Sequence, residues 1–152
     1  MTATAPQQKV TYTSTNVDLG AFHKAYDDAL TAVRAAAGRS YPLYINGKPV
    51  ESPGQEPIVD VSPIDNGLVL GRFACATAEH VDQAVKAAHT AQKAWAKRPW
   101  QERVAILRKA AELIRERKFD LAAVMSLEVG KSRFEAMTNG MVPTRSLASR
   151  LV

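Results

Sequence analysis

Only one cysteine, Cys75, occurs in the 152 residues. A lone thiol leaves no disulfide framework within the chain and fits a reducing compartment. No apolar run approaches the roughly 18 residues that a bilayer-spanning helix needs, so no membrane partner is expected. Residues 1–16 are rich in Thr, Ser and Gln and lack the basic-then-apolar order of a secretory signal. They do not read as a leader, and the cytoplasm is the expected location. They also lack periodicity and are expected to form a disordered tail. Histidines are few: His23, His80 and His89 lie far apart and show no metal-ligand spacing. No Ser/His/Asp grouping emerges from spacing, so no hydrolase reading can be built. The charge excess is small, +5, and the bases alternate with acids, as in Arg115-Glu116-Arg117. That pattern reads as a solvated helix face, and no nucleic-acid partner is expected.

What is present is globular: 46% hydrophobic and 23% charged residues. Phe22, Tyr26, Ala29, Leu30, Val33 and Ala37 recur at helical spacing and predict a helix from about Asp18 to Ala37. Asp18 would cap it and Gly38 would stop it. Tyr41 to Ile45 predicts a strand, Asn46-Gly47 a two-residue hairpin turn, and Lys48-Pro49-Val50 a return strand at an edge. Ile58 to Val61 and Leu68 to Ala76 predict two further strands. Strict alternation in the latter sets Val69, Phe73 and Cys75 against Leu70, Arg72 and Ala74.

From Thr77, a good N-cap, the pattern is helical again. Val81, Ala84, Val85, Ala88, Ala91 and Trp95 form one apolar stripe; Val104, Leu107, Ala111 and Ile114 form a second, beginning after Pro99. A third helix carries Leu121, Val124 and Met125, should end at Gly130, and is followed by another near Ser132. No strand–helix–strand alternation appears, so no complete dinucleotide fold is expected.

Several residues invite a chemical reading. Gly130-Lys131-Ser132 imitates the end of a phosphate loop, but Met125 stands where the motif needs glycine, and a helix rather than a strand leads in. Cys75, alternating with Phe73, reads as a small core residue rather than a nucleophile. Glu128 continues the apolar face of its helix near the negative end of the dipole. It is expected to meet a cation, such as Lys131, Arg133 or an arginine of the neighbouring helix, or else to border a substrate entrance. Trp95 and Trp100 flank Lys97-Arg98 and are expected to pack a helix–helix corner.

Taken in order, these pieces resemble the aldehyde dehydrogenases. Tyr41-Pro42-Leu43-Tyr44-Ile45-Asn46-Gly47-Lys48 is similar to their Y-I-N-G-K opening. Asp60-Val61-Ser62-Pro63 resembles the step that follows, and Val69 to Phe73 the next strand. The helix from Thr77 to Trp95, the segment Trp100 to Ala111, and Glu128-Val129-Gly130-Lys131 resemble the family's A-x-x-A-F-x-x-W, R-x-x-x-L-x-x-A and E-x-G-K elements. The helix before Tyr41 further resembles the branch that oxidises glutamate γ-semialdehyde in proline breakdown. The resemblance implies an α/β fold, of which this chain carries the N-terminal part: a helix, a small antiparallel β unit, then a helical run. It also implies NAD as cofactor, a small aldehyde as substrate, and hydride transfer from a thiohemiacetal.

The resemblance covers about residues 41–137. Residues 17–138 are therefore expected to be the N-terminal segment of a dehydrogenase subunit. Residues 139–152 have no acid and carry Gly140 and Pro143, unlike the acid-rich helix that the resemblance implies there. They are expected to be an aberrant tail, from a shifted reading frame or a truncated gene; resequencing that finds no dehydrogenase frame downstream would count against this. The nucleophilic cysteine, the general-base glutamate and the cofactor-binding half have no counterpart in these residues. No catalytic, cofactor-binding or metal residue is assigned, NAD is not expected to bind these residues alone, and the isolated chain is expected to be inactive. Two rival readings stay open: a non-catalytic module that associates with itself or with a dehydrogenase subunit, and a basic nucleic-acid binder.

Overall fold

A computed structural model describes residues 18–138. The expected tails, 1–16 and 139–152, lie outside the described residues. The first helix, α1, spans Leu19–Ala35. Asp18 caps it by accepting from the Ala21 N–H at 3.1 Å, and Gly38, at φ 78°, takes the left-handed conformation that releases the chain.

The predicted strand from Tyr41 to Ile45 is two strands. β1 (Arg39–Tyr41) and β2 (Leu43–Ile45) belong to different sheets, and Pro42 separates them. A proline has no N–H to continue a ladder, so the chain changes partners there. β2 turns through Asn46 (φ 53°) and Gly47 (φ 73°) into β3 (Lys48–Val50), the hairpin expected from that dipeptide.

β4 (Ile58–Val61) pairs antiparallel with β5 (Val69–Phe73), and β1 pairs parallel with β5 on its other side. The antiparallel pairings expected from the sequence are present, and the parallel β1–β5 pair is an addition. Its partners are remote in the chain, so no local pattern announces it. β5 is also shorter than expected. A register shift at Asp60/Val61 leaves Leu70 without a partner on β4, a bulge that breaks the strict alternation. Leu70 and Phe73, assigned to opposite sides by alternation, consequently line the same cavity.

Three helices follow: α2 (Ala78–Lys97), α3 (Trp100–Glu116) and α4 (Lys118–Val129). Thr77 caps α2 in a reciprocal arrangement. His80 N–H donates to Thr77 Oγ1 at 3.3 Å, and Thr77 N–H donates to His80 Nδ1 at 3.2 Å. The imidazole replaces the usual Glu or Gln, so His80 is a capping residue rather than an idle surface group. Pro99 precedes α3, and Gly130, at φ 70°, ends α4 as expected. Helical structure resumes at 133–138.

The core lies where α1 packs on α4 and on 133–138. Phe22, Tyr26, Ala122, Ala136 and Met137 form it, with Leu30, Phe119 and Met125 at its edge. Phe22 stacks on Phe134 with centroids 5.0 Å apart, and the Tyr26 hydroxyl donates to Ser126 Oγ at 2.5 Å. The buried Ser62 ties the sheet to this core: its hydroxyl donates to the Leu127 carbonyl at 2.6 Å. That carbonyl is among the last of α4, where no intrahelical donor remains.

Candidate functional site

The two faces of the three-stranded sheet carry different chemistry. On one face, Tyr41 and Phe73 stack with centroids 5.1 Å apart at the floor of an apolar cavity of about 230 Å³. Val33 and Ala37 of the α1 end, Leu70, and Val124 and Leu127 of α4 close it, and Asp60 and Glu128 supply its carboxylates. On the other face, Ser40 and Arg72, paired in register, open onto a polar cleft formed with the 51–57 segment.

Glu128 is exposed at the end of α4 and lines the apolar cavity. The ion pairs among the described residues do not include it. Arg133, one of the cations expected to meet it, is held by α1 instead. It contacts Asp27 at 3.1 Å, meets His23 Nδ1 at 2.9 Å, and lies 4.7 Å from the centre of the Tyr26 ring. Guanidinium has only donors, so His23 Nδ1 must be the acceptor of this bond. Sequence spacing gives no sign of this cluster, because its members come from two helices more than a hundred positions apart.

Gly130-Lys131-Ser132 does not form a phosphate cradle. The Gly130 N–H donates to the Ser126 carbonyl at 3.0 Å, completing the end of α4. Ser132 N–H and Oγ–H both donate to Glu135 Oε2, at 3.2 and 2.9 Å. Those bonds hold the Glu135 carboxyl below its usual pKa, so a negative charge already occupies the place an anion would take. The sequence signal for this is Ser132-x-x-Glu135, the capping-box pattern.

Cys75 is half-buried and lies beyond the end of β5, not within a strand as expected. Among the described residues no group of three or more potential ligands could hold a metal ion. Trp95 and Trp100 do not pack a corner: they are 40% and 61% exposed. The α2 stripe is equally uncovered, with no buried residue in the whole helix.

A family model described as the aldehyde dehydrogenase family matches residues 50–147. The chain belongs to the aldehyde dehydrogenase family. The match takes in 139–147, part of the tail that the sequence pattern set apart. Among curated members of the family, the chain is similar to 1-pyrroline-5-carboxylate dehydrogenase 2 of Bacillus subtilis. The two are 39% identical over 113 residues, which is 74% of this chain and 22% of that protein. Among solved structures it is similar to a variant of Thermus thermophilus 1-pyrroline-5-carboxylate dehydrogenase, with TM-score 0.83 and 31% identity. That alignment covers 99% of this chain and 28% of the other. An NAD-dependent aldehyde dehydrogenase from Sinorhizobium meliloti also aligns at 31% identity, with TM-score 0.70, over 79% of this chain and 24% of the other. The chain thus spans about a quarter of the length of the relatives it matches.

The family resemblance implies NAD, and the segment of this chain that imitates a phosphate loop does not fit it. The Gly130 and Ser132 amides are engaged within the chain, the latter by the Glu135 carboxylate.

Proposed function

We infer that residues 18–138 form the N-terminal part of an NAD-dependent dehydrogenase that oxidises L-glutamate γ-semialdehyde, the open form of 1-pyrroline-5-carboxylate, to glutamate. Extent of alignment carries this reading. The Thermus 1-pyrroline-5-carboxylate dehydrogenase aligns along 99% of the chain, whereas the Sinorhizobium aldehyde dehydrogenase, at equal identity, aligns along 79%. A Thermus structure of the same enzyme type contains bound NAD, which supports that cofactor for the whole enzyme. The role of these residues is scaffolding. α1 clamps α4 and 133–138, and the sheet is bolted to α4 through Ser62. Cytoplasmic placement accords with the lone half-buried Cys75, and no helix among the described residues is long and apolar enough to cross a membrane.

A graft tests this directly. Residues 18–138 replace the aligned stretch of the Bacillus subtilis enzyme, and NADH formation with 1-pyrroline-5-carboxylate is followed. Activity within about tenfold of the parent, or about 1.4 kcal/mol of barrier, is expected. A well-folded graft without turnover would overturn the assignment. The purified 152-residue chain alone is expected to form no NADH, and measurable turnover would contradict that.

A second reading is favoured by one observation, the uncovered apolar stripe of α2. In it, these helices associate with another copy or with a dehydrogenase subunit.

A further inference from the structure

We propose that His80 makes the start of α2 a proton-operated cap, closed while its imidazole is neutral and opened when the ring takes up a proton.

The bond pattern fixes the state of the ring. The Thr77 N–H donates to His80 Nδ1 at 3.2 Å, and an imidazole nitrogen accepts only while it carries no proton. The neutral ring therefore holds its hydrogen on Nε2. A second proton, taken from water, goes to Nδ1 and turns it into a donor. Thr77 Oγ1, also 3.2 Å from Nδ1, is an acceptor within reach of that new N–H. The Thr77 amide gains no such replacement, because it now faces a hydrogen where it had a lone pair. The return half of the cap, from the His80 N–H to Thr77 Oγ1 at 3.3 Å, does not involve the ring and survives. One of the two bonds is thus proton-dependent. Glu or Gln, the usual residues at this position of a capping box, would keep an acceptor oxygen throughout.

The setting of the helix decides how much that bond matters. Helices in proteins are held mostly by the face they bury. α2 buries none of its residues, so its first turn depends on local bonds and no packing masks the loss of one. The added charge acts in the same direction, since an imidazolium in the first turn lies at the positive end of the helix dipole. Glu79 and Asp82, both exposed on α2, offset part of that charge. β2, the strand lying against α2, brings Tyr44 as its only titratable side chain. The Val81 N–H donates to the Thr77 carbonyl at 3.1 Å, so the first residue of the apolar stripe belongs to this turn. The same proton therefore governs whether that end of the stripe keeps its helical spacing.

Amide hydrogen exchange of the isotope-labelled 152-residue chain tests this, followed by NMR and corrected for the intrinsic pH dependence of exchange. Histidine side chains take up protons between about pH 8 and about pH 5, and the measurement spans that range. The Thr77 amide should lose about tenfold in protection on acidification, and residues 78–82 their helical Cα shifts, while the β4–β5 ladder keeps its protection. His80→Gln, which retains an acceptor and does not titrate, should hold Thr77 protected at every pH. His80→Ala should leave it about tenfold less protected throughout. His89→Gln, at an exposed position of the same helix, should leave the response intact. Thr77 protection that ignores pH would overturn the proposal. So would a loss that persists in His80→Gln, which still carries Glu79, Asp82, His89 and the His23 of α1. None of these readouts involves NADH formation, so failure of this idea is distinguishable from failure of the dehydrogenase assignment.

Discussion

α1 and α2 are both amphipathic helices with a strong N-cap, and they have opposite fates. α1 buries Phe22, Tyr26 and Ala29 against α4 and 133–138. α2, longer by three residues, buries nothing, and Val81 and Val85 are 54% and 62% exposed. The difference is not in the pattern of either helix. α1 finds complementary partners within these residues: Phe134 stacks on Phe22, and Ser126 meets the Tyr26 hydroxyl. An apolar stripe records that a face is to be covered, and says nothing about what covers it or whether the cover lies in the same stretch of chain.

The largest effect should come from the packed side. Leu127 is 1% exposed, and Leu127→Ala should cost about 2–5 kcal/mol through lost burial and the cavity left behind. Val85→Ala, by the same chemistry on α2, should stay within about 0.5 kcal/mol. Urea unfolding of both variants, side by side, reads the contrast. Equal losses would mean that the α2 stripe is covered in solution, and the comparison would fail.

Ser62→Ala should rank next, at about 1–3 kcal/mol, because it strips the terminal Leu127 carbonyl of its donor in a buried site. The same unfolding curves measure it, with Ser52→Ala as a control that removes a hydroxyl with no partner among the described residues. A Ser62 variant no weaker than that control would show that the sheet is not bolted to α4 by this bond. On the uncovered side, Val81→Glu with Val85→Glu should weaken self-association of the chain by about tenfold, seen by sedimentation over a range of concentrations. Unchanged association would place the contact elsewhere.

Local features of this fold are legible in the sequence and remote ones are not. Asp18, Asn46-Gly47, Thr77 and Gly130 each act on their immediate neighbours, and each does what its residue type dictates. Pro42 is equally local, but a single apolar run on both sides of it disguises a change of sheet. The parallel β1–β5 pair, the Leu70 bulge and the Arg133–Asp27–His23 cluster depend on partners brought together only by folding. The candidate site divides in the same way. Glu128 stands out in the sequence as a carboxylate in an unfavourable place, yet one of its expected cations, Arg133, is claimed by α1. The polar cleft leaves no trace in the sequence because Arg72 and Ser52 have no periodic relation and come to line one cleft only through the fold.

The smallest effect concerns the start of the 133–138 helix, and its sign follows from the hydrogen bonds. The Ser132 hydroxyl and amide both donate to Glu135, so its carboxyl is held below the usual glutamate value, chiefly by the hydroxyl. A carboxylate whose folded pKa is depressed contributes stability above its unfolded value and loses it as pH falls through the folded one. The cap should therefore be intact at neutral pH, persist through the ordinary glutamate range, and release only in more acidic solution. Because the group lies in solvent, the effect should be a local one with little influence on global unfolding. The Ser132 amide proton shift reports it. It should titrate with a midpoint below that of an unperturbed glutamate, and Glu135→Gln should flatten the curve. A midpoint at or above the ordinary value would mean that Ser132 does not hold the carboxylate, and that its N–H is free for an anion after all.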